Sequence, residues 1–153
     1  MMSRQDTILY LREEADSRQK DLARTLGRQR ALLGEVQSKL RLLENYLTQY
    51  REQAAAAERK GLLSAQAMEM RSFIAQLEQV LKLQRENLQR QQQQVSRLQS
   101  EWVTARGRGK GLASLAQRLE NEQRSLVLRN MQKELDEWAT RSSTLWTGYV
   151  SCL

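Results

Sequence analysis

A seven-residue repeat of apolar side chains runs from Met70 to Leu126 and constrains the fold more than any other feature. Alternating steps of four and three residues visit 17 positions in this stretch, and thirteen of them are apolar. A 3.5-residue period held for about eight heptads is typical of a coiled-coil seam. Because a strict seven-residue repeat drifts around a straight helix, this seam needs a partner helix. Its positions are Met70, Ile74, Leu77, Leu81, Gln84, Leu88, Gln91, Val95, Leu98, Trp102, Ala105, Gly109, Leu112, Ala116, Leu119, Gln123 and Leu126.

A matching repeat in the first third of the chain supplies that partner. Nine of its ten clearest positions are apolar. A looser continuation lies upstream, and Ser3 with Asp6 three residues later is an acidic variant of the capping box that begins a helix. The repeat comprises Leu22, Leu26, Gln29, Leu33, Val36, Leu40, Leu43, Leu47, Tyr50 and Ala54, with Ile8, Leu11, Ala15 and Gln19 before it.

Between the two repeats, residues 59–65 have the composition of a turn. Arg59 and Lys60 complement the carbonyl end of a helix, and Gly61 is suited to the left-handed residue that follows it. Ser64 is then a candidate N-cap for a second helix. Two long amphipathic helices joined by a short loop fold back on each other. The sequence therefore predicts an all-α fold, an antiparallel coiled-coil hairpin with the second helix longer.

The predicted boundaries follow from these signals. The hairpin covers residues 1–141, with helix 1 at about 5–58, the loop at 59–65, helix 2 at about 66–140, and a frayed tail at 142–153. With the hairpin centred near residue 62, helix 2 outruns helix 1 and lacks cover after about residue 120. The apolar register also shifts there, to Leu128, Met131, Leu135, Trp138 and Leu145.

The side chains of common catalytic and metal sites are scarce. The chain has no His, one Cys at position 152, and no paired acidic motif, so we expect no enzyme activity, metal or cofactor. The stretch Arg106–Gly111 is rich in glycine and cations but lacks the spacing of a phosphate loop. We expect it to lie opposite the acidic residues at 13–16 and its glycines to weaken or kink the helix.

The formal charge of +7 permits nucleic acid, an anionic membrane or an acidic protein as partner. The basic residues are spread along the chain, and we predict no nucleic-acid partner. The sequence has neither a signal-peptide core nor a run of 18 apolar residues, and the single thiol fits a reducing compartment. We therefore expect a cytoplasmic protein.

Three aromatic side chains near the predicted turn form a candidate binding patch. Tyr50 lies on the seam and should pack in the hairpin core near Ile74. Tyr46 and Phe73 each lie one residue off the seam, where side chains are partly exposed. Aromatic rings at such positions anchor interfaces at low entropic cost.

The run Leu42–Arg51 resembles the pattern L-x-x-Y-x-x-x-Y-R of the FliJ family, a coiled-coil component of the bacterial flagellar export apparatus. Phe73–Glu78 and Trp102 extend the resemblance, which covers roughly residues 5–140. The YscO-like stalk proteins of injectisomes are a near neighbour with the same features.

The resemblance implies a non-catalytic stalk that resembles the central stalk of rotary ATPases. The open end of its helices would enter the hexameric export ATPase ring, and the loop side would contact an FlhA-type export gate at the cytoplasmic face of the inner membrane. The implied chain is a monomer without cofactors that also escorts export chaperones. Lys39 and Gln84 depart from the family pattern and are not carried over. The implied gate contacts are Leu43, Tyr46, Tyr50, Phe73 and Leu77, and the expected ring contacts are Leu126, Met131 and Leu135.

Two alternatives remain open at this point. In a homodimeric structural coiled coil, helix 1 of one chain would cover helix 2 of another. In a nucleic-acid binder, Arg106, Arg108 and Lys110 would contact phosphates, and affinity would fall steeply with salt.

Overall fold

The structure, a computed structural model, describes residues 3–61 and 64–151, and nearly all of them are helical. Helix α1 spans Arg4–Arg59 and helix α2 spans Ser64–Ser151. With 56 residues in α1 and 88 in α2, the predicted all-α fold with a longer second helix is confirmed. The chain divides into two units, one of Met1–Asp16 with Arg106–Leu153 (unit 1) and one of Ser17–Ala105 (unit 2).

Helix α1 begins with the predicted capping box. The Ser3 hydroxyl oxygen accepts the Asp6 backbone N–H at 3.1 Å. In return, the Asp6 carboxylate accepts the Ser3 hydroxyl at 2.7 Å and the Ser3 backbone N–H at 3.2 Å. The box satisfies N–H groups that a helix start leaves without intrahelical partners, and its negative charge complements the helix dipole.

These hydrogen bonds make the start of α1 sensitive to acid. The Ser3 hydroxyl, and after it the Ser3 backbone N–H, lower the pKa of Asp6. A group whose pKa falls on folding stabilises the fold above its unfolded pKa, and this contribution is lost as the pH falls through the folded pKa. We expect the Asp6 amide to be protected from hydrogen exchange at neutral pH and to lose that protection in this acid range. Hydrogen exchange measured by NMR over a range of pH checks the effect. The unsubstituted protein should lose protection of the residue 6 amide as the pH falls, whereas Asp6→Asn should show no such acid-dependent loss. The same acid-dependent loss in both proteins would contradict the expectation.

The turn after α1 confirms the prediction for Gly61. Its φ of 76° is left-handed, as expected for the residue that follows a helix. The Lys60 N–H donates to the carbonyl oxygens of Ala56 and Ala57, and the Gly61 N–H donates to that of Glu58. Helix α2 begins at Ser64, slightly earlier than predicted. Residues 62 and 63 and the Ser64 side chain lie outside the described part, so the capping role of Ser64 stays a prediction.

Unit 2 contains the main apolar core. Leu40, Leu47 and Leu81 are buried together, and Leu81 is 1% exposed. Four half-buried side chains from both helices pack against them: Leu43, Ile74, Leu77 and Leu88. The core is a narrow seam between two antiparallel helix segments, which is why 40% hydrophobic content suffices.

Burial follows the predicted seam along both helices. Each seam position of α1 from Ile8 to Ala54 is buried or half-buried. The same holds on α2 from Met70 to Leu119, whereas Gln123 and Leu126 are exposed. The predicted end of cover near residue 120 is therefore confirmed.

Three ion pairs cross between the helices of unit 2. The side chains are roughly half to three-quarters exposed, so each pair contributes only about 0–1 kcal/mol. Their order shows the antiparallel direction, because partners on α2 fall in number as those on α1 rise. The pairs are Glu44 with Arg85 at 3.4 Å, Arg51 with Glu78 at 2.7 Å, and Glu58 with Arg71 at 3.3 Å.

Unit 1 joins the start of α1 to the later part of α2. Ile8 and Ala15 are buried, and the Gln5 side-chain amide donates to that of Gln123. Helix α2 continues without a break through Arg106–Gly111, so the expected weakening by glycine does not interrupt it. The pairing of this stretch with residues 13–16 stays a prediction.

The structure differs from the expected frayed tail, because α2 remains helical from residue 142 to Ser151. Ser and Thr compete with a helix when their hydroxyls bond the backbone in other conformations. Here the hydroxyls of Thr140, Thr144, Thr147 and Ser151 donate to carbonyl oxygens four residues earlier, at 2.8–2.9 Å. Cys152 lies outside the described residues, and the domain boundary at 141 stays a prediction.

Candidate functional site

Exposed apolar surfaces are the main candidates for function. Within residues 3–61 and 64–151, no group of three or more His, Cys, Asp or Glu is placed to hold a metal ion. In the same part of the chain, neither helix has a stretch long and apolar enough to cross a membrane. Two surfaces, one in each unit, stand out by the exposure of large apolar side chains.

The first surface, here called the aromatic face, lies in unit 2 near the turn. Its side chains are between 42% and 53% exposed. Each of them directly precedes a seam position, so they share one side of the helix pair. The aromatic face comprises Leu42, Tyr46, Phe73, Val80 and Leu83.

The ion pairs occupy the other side of the same helix pair. Glu44 and Arg51 directly follow seam positions of α1, and Glu58 follows Ala57, which lies three residues after the seam position Ala54. Their partners on α2 directly follow seam positions of that helix. In an antiparallel pair, residues that follow the seam face each other on one side, and residues that precede it lie on the opposite side. Near the turn, the ion pairs and the aromatic face therefore lie on opposite sides of the helix pair.

A ring contact orients Phe73 within the aromatic face. The rings of Tyr50 and Phe73 lie edge to face, with centroids 4.7 Å apart and an interplanar angle of 67°. Such a pair contributes about 0.5–1.5 kcal/mol beyond its buried area. Tyr50 is half-buried on the seam, so its ring contacts the more exposed Phe73 from the core side and holds it in position.

The five predicted gate residues lie in the same region of unit 2 but differ in burial. Tyr46 and Phe73 are exposed, at 43% and 44%, as predicted. Leu43 and Leu77 are half-buried and pack against the leucine core, so their substitution would also affect folding.

Sequence reasoning missed three members of the aromatic face: Leu42, Val80 and Leu83. The signal that could have found them is their position one residue before the seam. That position also distinguishes Tyr46 and Phe73 from their buried neighbours.

The second surface, here called the C-terminal segment, comprises residues 121–151 of α2 in unit 1. All its side chains are exposed except Ser142, which is half-buried. Its large apolar side chains are between 53% and 75% exposed. They are Leu126, Val127, Leu128, Met131, Leu135, Trp138, Leu145, Trp146, Tyr149 and Val150.

Apolar side chains of this segment point in several directions. Leu126, Val127 and Leu128 are consecutive, and an α-helix turns by about 100° per residue. Three consecutive residues thus point in three directions. The predicted ring contacts also do not all share one face. Met131 and Leu135 lie on the same face, but Leu126 is nine residues from Leu135 and so points about 180° away.

Within the segment, the shifted repeat forms a second apolar stripe of three heptads. It continues past the five positions predicted from the sequence and includes Tyr149. Steps of three and four residues connect Leu128, Met131, Leu135, Trp138, Ser142, Leu145 and Tyr149.

The segment is electrically balanced, unlike the whole chain. It contains four basic side chains, at 124, 129, 133 and 141, and four acidic ones, at 122, 134, 136 and 137. Its formal charge is therefore zero, and it does not favour a polyanion as partner.

Comparison with known proteins identifies relatives over almost the entire chain. The model of the family described as Flagellar FliJ protein matches residues 3–144. The Flagellar FliJ protein of Escherichia coli strain K12 is 25% identical over 142 residues, which cover 93% of this chain and 97% of that protein. No solved structure gives a significant match.

Proposed function

The chain belongs to the FliJ family of flagellar proteins, and from this premise we propose that it is a non-catalytic stalk and adaptor in flagellar type III protein export. The C-terminal segment binds within the hexameric export ATPase ring and promotes the assembly and activity of that ATPase. The aromatic face binds the cytoplasmic part of the export gate, a membrane protein. Bound to the ring, the stalk is a monomer at the cytoplasmic face of the inner membrane, and the chain also escorts export chaperones in the cytoplasm.

The observation that carries this proposal is the exposure of apolar side chains around the C-terminal segment. A flat partner would cover one stripe of a helix and leave the others in water. Leu126, Val127 and Leu128 point in three directions and are each more than half exposed. A ring surrounds a helix, so it can cover all of them. Exposed apolar surface of this extent marks an interaction site.

The second part of the proposal concerns the aromatic face. Its five large apolar side chains lie on one side of the helix pair next to the core, and the Phe73 ring contacts the Tyr50 ring. Aromatic side chains that are prepositioned lose little entropy on binding and often dominate interface energy. The gate would contact this side, and the ion-paired side would stay in water.

Helix continuity supports the adaptor role. Phe73 of the aromatic face and Met131 of the C-terminal segment lie on the same helix, α2, which is uninterrupted between them. One element therefore connects both proposed partners through a continuous backbone hydrogen-bond ladder.

Gate binding is tested by substituting one exposed tyrosine. We expect Tyr46→Ala to weaken binding to the soluble gate domain by roughly tenfold or more, because truncation of an aromatic anchor leaves its site unfilled. Far-UV circular dichroism should change little, since the Tyr46 ring is 43% exposed. Isothermal titration calorimetry measures the affinity.

Tyr10→Ala is the matched control, because Tyr10 is also an exposed tyrosine of α1 but lies outside the aromatic face. It should leave gate affinity within about twofold. Equal loss in both variants would contradict the assignment. A collapse of helicity in Tyr46→Ala together with Tyr50→Ala would mean that these rings serve only the core.

A further inference from the structure

The second apolar stripe of the C-terminal segment has the sequence of a coiled-coil seam, yet its large side chains are exposed. We propose that this stripe pairs, antiparallel, with the same stripe of a second copy of the chain. The pairing zone is residues 131–149. A stripe with a heptad repeat favours another helix with the same repeat as its partner.

Size complementarity defines the register of this pairing. With the two copies centred on residue 140, Trp138 of one copy lies opposite Ser142 of the other. The largest side chain of the stripe thus meets the smallest. Leu135 then meets Leu145 of the second copy, and two-fold symmetry repeats each contact. Parallel pairing would instead place Trp138 against Trp138.

Charge complementarity selects the same register. Glu134 and Arg141 both directly precede a stripe position, and this register places Glu134 opposite Arg141 of the second copy. Symmetry gives two such ion pairs. A shift of seven residues in one direction places Glu134 against Glu134, and in the other it places Arg141 against Arg141, so both shifts are disfavoured.

The segment also has room for the second copy. The hydrogen bond between Gln5 and Gln123 marks where the start of α1 lies alongside α2. The pairing zone begins at Met131, beyond that point, and its large apolar side chains are at least 54% exposed. Because the formal charge of the segment is zero, two copies meet without net repulsion.

Self-pairing would cover the residues assigned above to the ATPase ring. Met131 and Leu135 cannot contact a second copy and the ring at the same time. The pair would therefore shield the stripe in the free chain and open when the ring binds. This consequence rests on the proposed function, whereas the pairing itself does not.

Sedimentation velocity of the full chain over roughly 5–500 µM tests the pairing by mass action. We expect the mass to rise with concentration from 17.8 kDa towards twice that value. Glu134→Arg alone and Arg141→Glu alone should each weaken association by roughly tenfold or more, because each creates two like-charge contacts. The double variant restores opposite charges and should recover association. A single mass throughout the range, or failure of the double variant to recover, would overturn the proposal.

A cysteine variant tests the orientation. In a Cys152→Ser background, Ser142→Cys should not form an intermolecular disulfide, because antiparallel pairing separates the two introduced thiols by about a helical turn along the axis. Efficient cross-linking would instead show parallel pairing and overturn the model. Neither experiment contains the ATPase, so their outcomes are independent of whether the stalk function is correct.

Discussion

Cutting the chain after Leu119 is expected to abolish its stimulation of the export ATPase while leaving the paired parts of both helices folded. The cut removes the whole C-terminal segment, which is exposed apart from half-buried Ser142 and therefore contributes little to the core. The seam from Met70 to Leu119 is retained. We expect stimulation to fall by at least about thirtyfold, the scale of losing several anchor residues. Steady-state ATPase assays with the purified ring, alongside circular dichroism, give both readouts.

Substitutions in the full-length chain distinguish the effect of losing apolar contacts with the ring from the effect of shortening helix α2. Met131→Asp with Leu135→Asp should reproduce most of the loss, because buried carboxylates without partners are costly. Lys133→Asp is the control: it changes the formal charge by the same two units without removing apolar surface. Full ATPase stimulation by the truncated chain would overturn the stalk assignment.

The largest stability effect is expected from Leu81→Ala. Leu81 is 1% exposed and packs with Leu40 and Leu47. Removing a buried leucine side chain costs about 2–5 kcal/mol, and neighbouring helices in a thin seam can only partly close the gap. Urea unfolding followed by far-UV circular dichroism measures the change in free energy of unfolding.

Leu83→Ala provides a control with the same chemical change on the same helix. Leu83 is 53% exposed, so its truncation should cost less than about 1 kcal/mol. It should instead weaken gate binding, since Leu83 belongs to the aromatic face. Equal destabilisation by the two substitutions would contradict the burial pattern.

The fold was largely predictable because the core of a two-stranded coiled coil is one-dimensional. A residue's place in the repeat determines its burial, without knowledge of distant contacts. The repeat thus placed Leu81, like the other seam positions, against the partner helix, and the composition around Gly61 indicated the turn. The lengths of the two helices alone were enough to predict that α2 is no longer covered by α1 beyond about residue 120.

Other features depend on relations that a linear repeat does not express. The repeat gives the position of each member of the aromatic face relative to the seam, but their exposure, such as the 51% of Leu42 and the 42% of Val80, is known only from the structure. Helix α2 persists to Ser151 and several Ser and Thr hydroxyls bond to its own carbonyl oxygens, whereas the composition indicated a frayed tail. Contacts with the ring and the gate depend on other proteins and remain predictions.

The three weak ion pairs of unit 2 have a consequence for how the hairpin folds. A leucine seam alone accepts misalignment by seven residues, because apolar side chains still meet. The charges alternate along each helix, so one such misalignment sets Arg51 against Arg71 and the opposite one sets Arg51 against Arg85. Ion pairs that add little stability to the folded hairpin thus disfavour misaligned pairing of the helices during folding, because each misalignment brings like charges together.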